Sequence, residues 1–150
     1  MSIRKAWLTL VQVAYDLVMK MNPRKLAAHG IITDDQGRVL ILRSRYAGVW
    51  SFPGGGLNRR EHIDEALRRE CQEELGTPVR LESLTGFYYH KAISAYVATF
   101  RARLERGPIT LSHEHSELRW VTVDELPHRL RLMAEDALRG GGDCSVRTIE

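Results

Sequence analysis

The sequence predicts an α+β fold, a mixed-sheet sandwich with helices on the sheet faces. Three observations point there. Short apolar runs, several with period-two patterning, alternate with turn residues along most of the chain. Two segments, near residues 62–75 and 126–139, carry helical spacing and end in glycine. The chain has 150 residues, 43% hydrophobic and 27% charged. Those are globular values, enough for one core, and they exclude a disordered or fibrous chain.

In order, Ile3, Trp7, Leu10, Ala14, Leu17 and Met21 recur at spacings of four and three, with Val11 and Val18 beside them. This predicts an amphipathic helix over residues 1–22, stopped by Asn22-Pro23. It is expected to lie on its own domain. A homodimer seam is the next use for such a stripe, and a membrane-surface helix, with Arg4, Lys5, Lys20 and Trp7, the third. Arg4 and Lys5 before an apolar stretch hint at a signal peptide, but Gln12 and Asp16 interrupt it. No apolar run is long enough to span a bilayer.

Residues 26–33 and 38–43 read as strands around the turn Asp34-Asp35-Gln36-Gly37, so a β-hairpin is predicted. Residues 44–50 read as a polar loop leading to Trp50, Phe52, Pro53 and three glycines. A helix follows from about residue 62 to Leu75, with Ile63, Ala66, Leu67 and Cys71 inward and Gly76-Thr77-Pro78 as its stop. Residues 79–84, 86–91, 93–104 and 118–123 are further strand candidates, the third by its alternation half-buried. Residues 113–116 read as a polar loop. Asp124 is the expected N-cap of the last helix, and residues 140–150 are expected to be a flexible tail. The central domain then spans residues 23–139.

Chemistry concentrates between Gly54 and Thr77. Glu70, Glu73 and Glu74 stand three and four apart, so a helix places them on one face. Like charges so close weaken a helix unless a cation offsets them, and oxygen clusters suit hard divalent ions. The glycines before the helix let backbone approach a ligand closely. The formal net charge of +3 and pI near 9.1 suit an anionic ligand. They do not by themselves indicate a nucleic-acid binder. Cys71 and Cys144 form no pairing framework and read as free thiols of a reducing cytoplasm.

Gly55, Glu61, Arg69, Glu70, Glu73, Glu74 and Gly76 fall on G-x5-E-x7-R-E-U-x-E-E-x-G-U, where U is a bulky aliphatic residue, and so the chain resembles the Nudix hydrolases. WSFPGGG and SELRWVTVDELP add to the likeness, which covers about residues 27–138. Thr77 and Cys71 depart from it at two U positions. Asn58 and Arg60 stand where many relatives carry an acidic residue and a glycine. The resemblance implies a loop–helix–loop metal site on an α/β/α sandwich. It implies cleavage of the pyrophosphate linkage in a small-molecule nucleoside diphosphate derivative. It assigns Mg²⁺, with Mn²⁺ as a substitute, to Glu70, Glu73, Glu74 and the Gly54 carbonyl. Arg69 would hold the carboxylates, with Glu61, Gly55 and Gly76 in support.

Family bases come from the signature helix or from a later loop. Glu114 is the expected base and Glu117 its rival; His113 and His115 could contact phosphate. Arg43, Arg45, Arg59 and Arg60 are candidate phosphate clamps, with plain surface charge as common a role for each. Trp50 and Tyr88 are candidate stacking rings for a base, although packing is the commoner role for either. Two other functions fit a Nudix fold: a non-catalytic nucleotide-sensing module and an RNA 5′-end pyrophosphohydrolase. The intact acidic set weighs against the first, and the lack of an RNA-stacking module or basic stripe against the second.

Overall fold

The structure is a computed structural model and describes residues 25–139 and 142–150. The helix expected over residues 1–22 lies outside the described residues. Ten elements follow: β1 (Lys25–Ile32), β2 (Val39–Ser44), β3 (Trp50–Ser51), β4 (Gly54–Gly56), α1 (Ile63–Leu75), β5 (Val79–His90), β6 (Ala95–Leu104), β7 (His115–Val121), α2 (His128–Leu138) and β8 (Ser145–Ile149). A five-stranded sheet runs β4-β1-β6-β5-β8 and a three-stranded sheet β3-β2-β7. Parallel pairs (β1 with β6, β5 with β8) stand beside antiparallel ones, so the sheet is mixed as predicted.

Two cores explain the layering. Leu67, Cys71 and Leu75 of α1 pack with Ala28, Leu40, Leu42, Ala98 and Phe100. Leu130, Met133, Ala134 and Ala137 of α2 pack with Ile31, Val39, Ile41, Phe52 and Tyr88. Strand β2 thus sends alternate side chains to opposite cores, which is why it reads as a continuous apolar run. Strand β6 is likewise buried through most of its length, at the centre of its sheet rather than half-buried.

The predicted hairpin is corrected. The Asp34–Gly37 turn forms, with Gly37 at φ 74° and its N–H donating to the Asp34 carbonyl at 3.1 Å. Beyond it, β1 and β2 share only the bridge Thr33–Val39 and then enter different sheets. Each has two faces to bury, and one hairpin cannot cover them.

Residues 79–90 form one strand, carried past the expected break by irregularities at Leu81/Ser83 and Leu84/Gly86. Strand β7 starts at His115, inside the expected loop. Asp124 does not cap the last helix. A 3₁₀ turn covers Val123–Glu125, and α2 starts after Pro127, whose missing N–H costs nothing at a helix entrance.

The expected tail is not free over residues 145–149. They form β8, parallel to β5, with Ile149 buried in the α2-side core. Only Ser145 and Ile149 of that strand are sheltered, so its sequence carries no apolar stripe. Among the described residues no helix is long and apolar enough to cross a membrane.

Candidate active site

Helix α1 carries the site. The His62 N–H donates to Glu65 Oε2 at 3.0 Å at its start. At its end Gly76 takes φ 66° and its N–H donates to the Gln72 carbonyl at 3.0 Å. The apolar stripe faces the sheet, leaving Glu70, Glu73 and Glu74 beside the glycine strand β4.

Arg69 ties loop to helix. Its Nε donates to Glu61 Oε1 at 2.7 Å and its Nη2 to Glu61 Oε2 at 2.9 Å, a two-point grip. Nη2 also meets the Gly56 carbonyl at 3.0 Å, while Nη1 reaches Glu70 Oε1 at 2.8 Å and Glu73 Oε2 at 3.4 Å. Hydrogen bonds from Arg69 and from the Asn58 N–H hold the Glu61 carboxyl down at about 2. Glu61 therefore stays ionised, and Arg69 stays in place.

The two glycines matter for different reasons. Gly54 has φ 135°, and a Cβ there would sit 2.1 Å from the Ala28 carbonyl oxygen. At Gly55 a Cβ would sit 2.6 Å from the Glu70 carboxyl carbon. Backbone cannot yield, but the end of a glutamate can. Gly54→Ala is therefore expected to lower Tm markedly. Gly55→Ala should fold with nearly unchanged Tm and lose roughly 10²-fold in kcat through a displaced Glu70. Thermal melts and kinetics on both variants check the contrast, and wild-type kcat in Gly55→Ala would refute it.

Glu74 is the buried member, 8% exposed. Its Oε2 accepts the Gly54 N–H at 2.8 Å and its Oε1 lies 3.4 Å from His115 Nε2. Burial, with the nearby charges of Glu70, Glu114 and Glu73, pushes its carboxyl up to about 8. Burial also lowers the His115 imidazole. The two shifts agree on a neutral acid beside a neutral ring, so the 3.4 Å contact is not an ion pair.

The sign of the resulting pH effect follows. Folded Glu74 keeps a proton that the unfolded chain releases near 4.5, so stability falls as pH rises towards 8. His29 and His115 act in the opposite sense, but only below their ordinary value of 6.5. Metal-free protein should thus lose about 1 kcal/mol between pH 7 and 8, and millimolar Mg²⁺ should recover it. Melts with and without the ion test this; a metal-free Tm that rises over that interval would refute it.

One cleft of about 290 Å³ is lined by Glu70, Glu73, Glu74, Ser112, His113 and Glu114. The fold brings Glu114 to the helix carboxylates from 40 residues away in sequence. Glu117 instead sits on β7 between Arg119 (2.6 Å) and Arg43 (3.8 Å). Arg43 also donates to the Gly48 carbonyl at 3.2 Å. Arg45 is turned to the carbonyls of His113 and His115. Trp50 lies half-buried on the α2-side core with the Arg119 guanidinium 4.9 Å from its ring. Tyr88 is fully buried and serves packing.

The residues fit a divalent ion by donor chemistry. Four carboxylates share one cleft, and burial, with a smaller contribution from its three acidic neighbours, raises Glu74. Among the described residues no three acidic, histidine or cysteine groups stand as they are in an arrangement that could hold a metal ion. Arg69 occupies one Glu70 oxygen and leaves Oε2 without a hydrogen bond from it.

Sequence reasoning missed a second cavity. It measures about 310 Å³ and is mainly apolar, lined by His29, Ser51, His90, Val97, Arg129 and Met133 among others. His29 pairs with Gly54 across β1 and β4, which joins the cavity wall to the glycine strand. Burial and the charge of Arg129 bring the His29 imidazole down to about 4, so it is neutral. The only sequence signal was a histidine in an apolar strand.

Fold and cleft together define a class of protein, in which an acidic loop–helix–loop is braced against the edge of a mixed sheet. The sequence pattern of the NUDIX domain matches residues 23–139. A MutT-like protein of Streptomyces ambofaciens is 33% identical over 119 residues, 75% of this chain and 76% of its own. The nucleoside triphosphatase NudI of Escherichia coli O17:K52:H18 is 28% identical over 99 residues, 57% of this chain and 70% of its own. The crystal structure of an ADP-ribose pyrophosphatase from Streptococcus suis 89-1591 superposes with a TM-score of 0.69 at 19% identity, covering 81% of this chain and 98% of that one, a likeness of fold alone.

The chain belongs to the Nudix hydrolases, and its class of activity is hydrolysis of nucleoside diphosphate derivatives. The relatives' names carry different substrates, so none passes to this chain by likeness.

Proposed function

We propose that the protein is a Mg²⁺-dependent pyrophosphohydrolase that cleaves the diphosphate of a nucleoside diphosphate derivative in the α1 cleft. The observation that carries the reading is the meeting of Glu114 with Glu70, Glu73 and Glu74 in that one cleft. The three helix glutamates and the Gly54 carbonyl would hold the ion. When bound, Mg²⁺ offsets phosphate charge and acidifies water.

The chain's own groups do the rest. Arg69 keeps Glu70 and Glu73 at the mouth of the cleft and ties them to the Gly56 carbonyl. Glu114, opposite the helix, accepts the proton of the attacking water. His115 steadies Glu74 on the side away from Gly54. The mainly apolar cavity beside β1 takes the group beyond the diphosphate, where neutral His29 presents a polar atom without a charge.

A panel of nucleoside triphosphates, oxidised nucleotides, nucleotide sugars, ADP-ribose and dinucleoside polyphosphates, with Mg²⁺ or Mn²⁺ and products identified by mass, tests the reading. Hydrolysis of at least one, abolished by excess EDTA, is expected. Undiminished activity in EDTA, or no turnover across the panel, would overturn it.

A further inference from the structure

We propose that Arg45 is a positioning residue that holds the Glu114 loop over the carboxylate helix. The loop between β6 and β7 is anchored on two sides. On one, the Thr110 and Ser112 N–H groups donate to the Leu75 and Glu74 carbonyls at 2.8 and 2.9 Å. Those carbonyls belong to the last turn of α1 and have no partner inside the helix. The loop therefore docks on the helix end that carries Glu74.

On the other side stands Arg45, between β2 and β3. Its N–H donates to the Glu114 carbonyl at 2.8 Å. Its Nε donates to the His113 carbonyl at 2.8 Å and its Nη2 to the His115 carbonyl at 3.2 Å. Three consecutive carbonyls, centred on Glu114, thus accept from one residue. A planar guanidinium can grip two carbonyls at fixed spacing, which an ammonium cannot. Two of the five guanidinium N–H donors are given to the backbone of this loop, which ties the side chain to the segment that carries Glu114. Its effect passes through Glu114, and the proposal rests on the reading of Glu114 as the base.

Arg45→Ala and Arg45→Lys, each alone and combined with Glu114→Gln, test it. Arg45→Ala should lower kcat by roughly 10²-fold, the scale of a small misplacement, with KM changed by less than about twofold. In the Glu114→Gln background the same substitution should cost less than about twofold, because the residue it positions is already disabled. Lysine should restore little. Amide exchange of residues 112–116 in the metal-free full chain should quicken in Arg45→Ala.

A raised KM with kcat kept would make Arg45 a substrate clamp and overturn the proposal. So would equal losses in both backgrounds, or unaltered exchange. If Arg45→Ala fails to fold, Arg45→Lys supports the same comparisons. If the wild-type chain turns over no nucleotide in the panel, the functional reading falls, while amide exchange still decides whether Arg45 holds the loop.

Discussion

Glu73→Gln is expected to lower kcat by roughly 10²–10⁴-fold while leaving Tm unchanged. The side chain is 59% exposed and its nearest charged partner is Arg69 at 3.4 Å, so the fold does not depend on it. The amide keeps the shape and removes the charge. A neutral amide is a poorer ligand for a hard cation and cannot offset the charge an ion brings. Glu70→Gln is less clean, because Glu70 also receives Arg69 at 2.8 Å, and Glu74→Gln disturbs a buried contact with Gly54. Glu73 is therefore the most direct probe of the proposed ion. Steady-state kinetics over a Mg²⁺ titration reads it. Wild-type kcat in Glu73→Gln would remove Glu73 from the reaction.

Asp136→Ala should destabilise the fold by about 3–5 kcal/mol, the cost of breaking a buried ionic network by removing one partner. Its side chain is 0% exposed. Oδ2 accepts the Tyr88 hydroxyl at 2.9 Å, and Oδ1 accepts Arg147 at 2.9 Å and lies 3.2 Å from Arg139. One carboxylate thereby joins α2, β5 and β8. Removing it takes the Asp136 acceptor from the buried Tyr88 hydroxyl and releases Arg147, and with it β8, from α2. For a chain of this length the loss corresponds to a Tm drop of roughly 10 °C. Tyr88→Phe removes only the hydroxyl and should cost about 1 kcal/mol. Urea melts of both variants separate the two figures, and an Asp136→Ala variant as stable as Tyr88→Phe would show that the arginines contribute nothing.

Much of the site was legible before the fold was known, because its parts are local. Glu70, Glu73 and Glu74 share a face through helix geometry alone. Gly55, Glu61 and Arg69 lie close enough in sequence for one loop and one helix to bring them together. The physical reason for Gly55, a Cβ that would meet the Glu70 carboxyl, needed coordinates, although its position in the motif did not. By sequence alone Arg45 is a candidate phosphate clamp or, as readily, plain surface charge. Its carbonyl partners lie 68 and 70 residues away, beyond what spacing can report.

The same division runs through the fold. Elements whose information is short-range were readable: α1 with its glycine stop, the Asp34–Gly37 turn, and most strand segments. Partner choice was not. Strands β1 and β2 have a turn suited to a hairpin, yet part into two sheets because both cores compete for their faces. Strand β8 has almost no apolar pattern, and is held by the edge of β5 and by Asp136.

The sequence by itself determined the family, the carboxylate helix and the class of bond cleaved, since these rest on residues a few positions apart. Only the tertiary structure decided that Glu114 rather than Glu117 meets the helix glutamates, that Arg45 grips the loop carrying it, and that a cavity opens beside His29. Those arrangements join distant segments, and what selects them is which surfaces bury each other, a quantity no single segment contains.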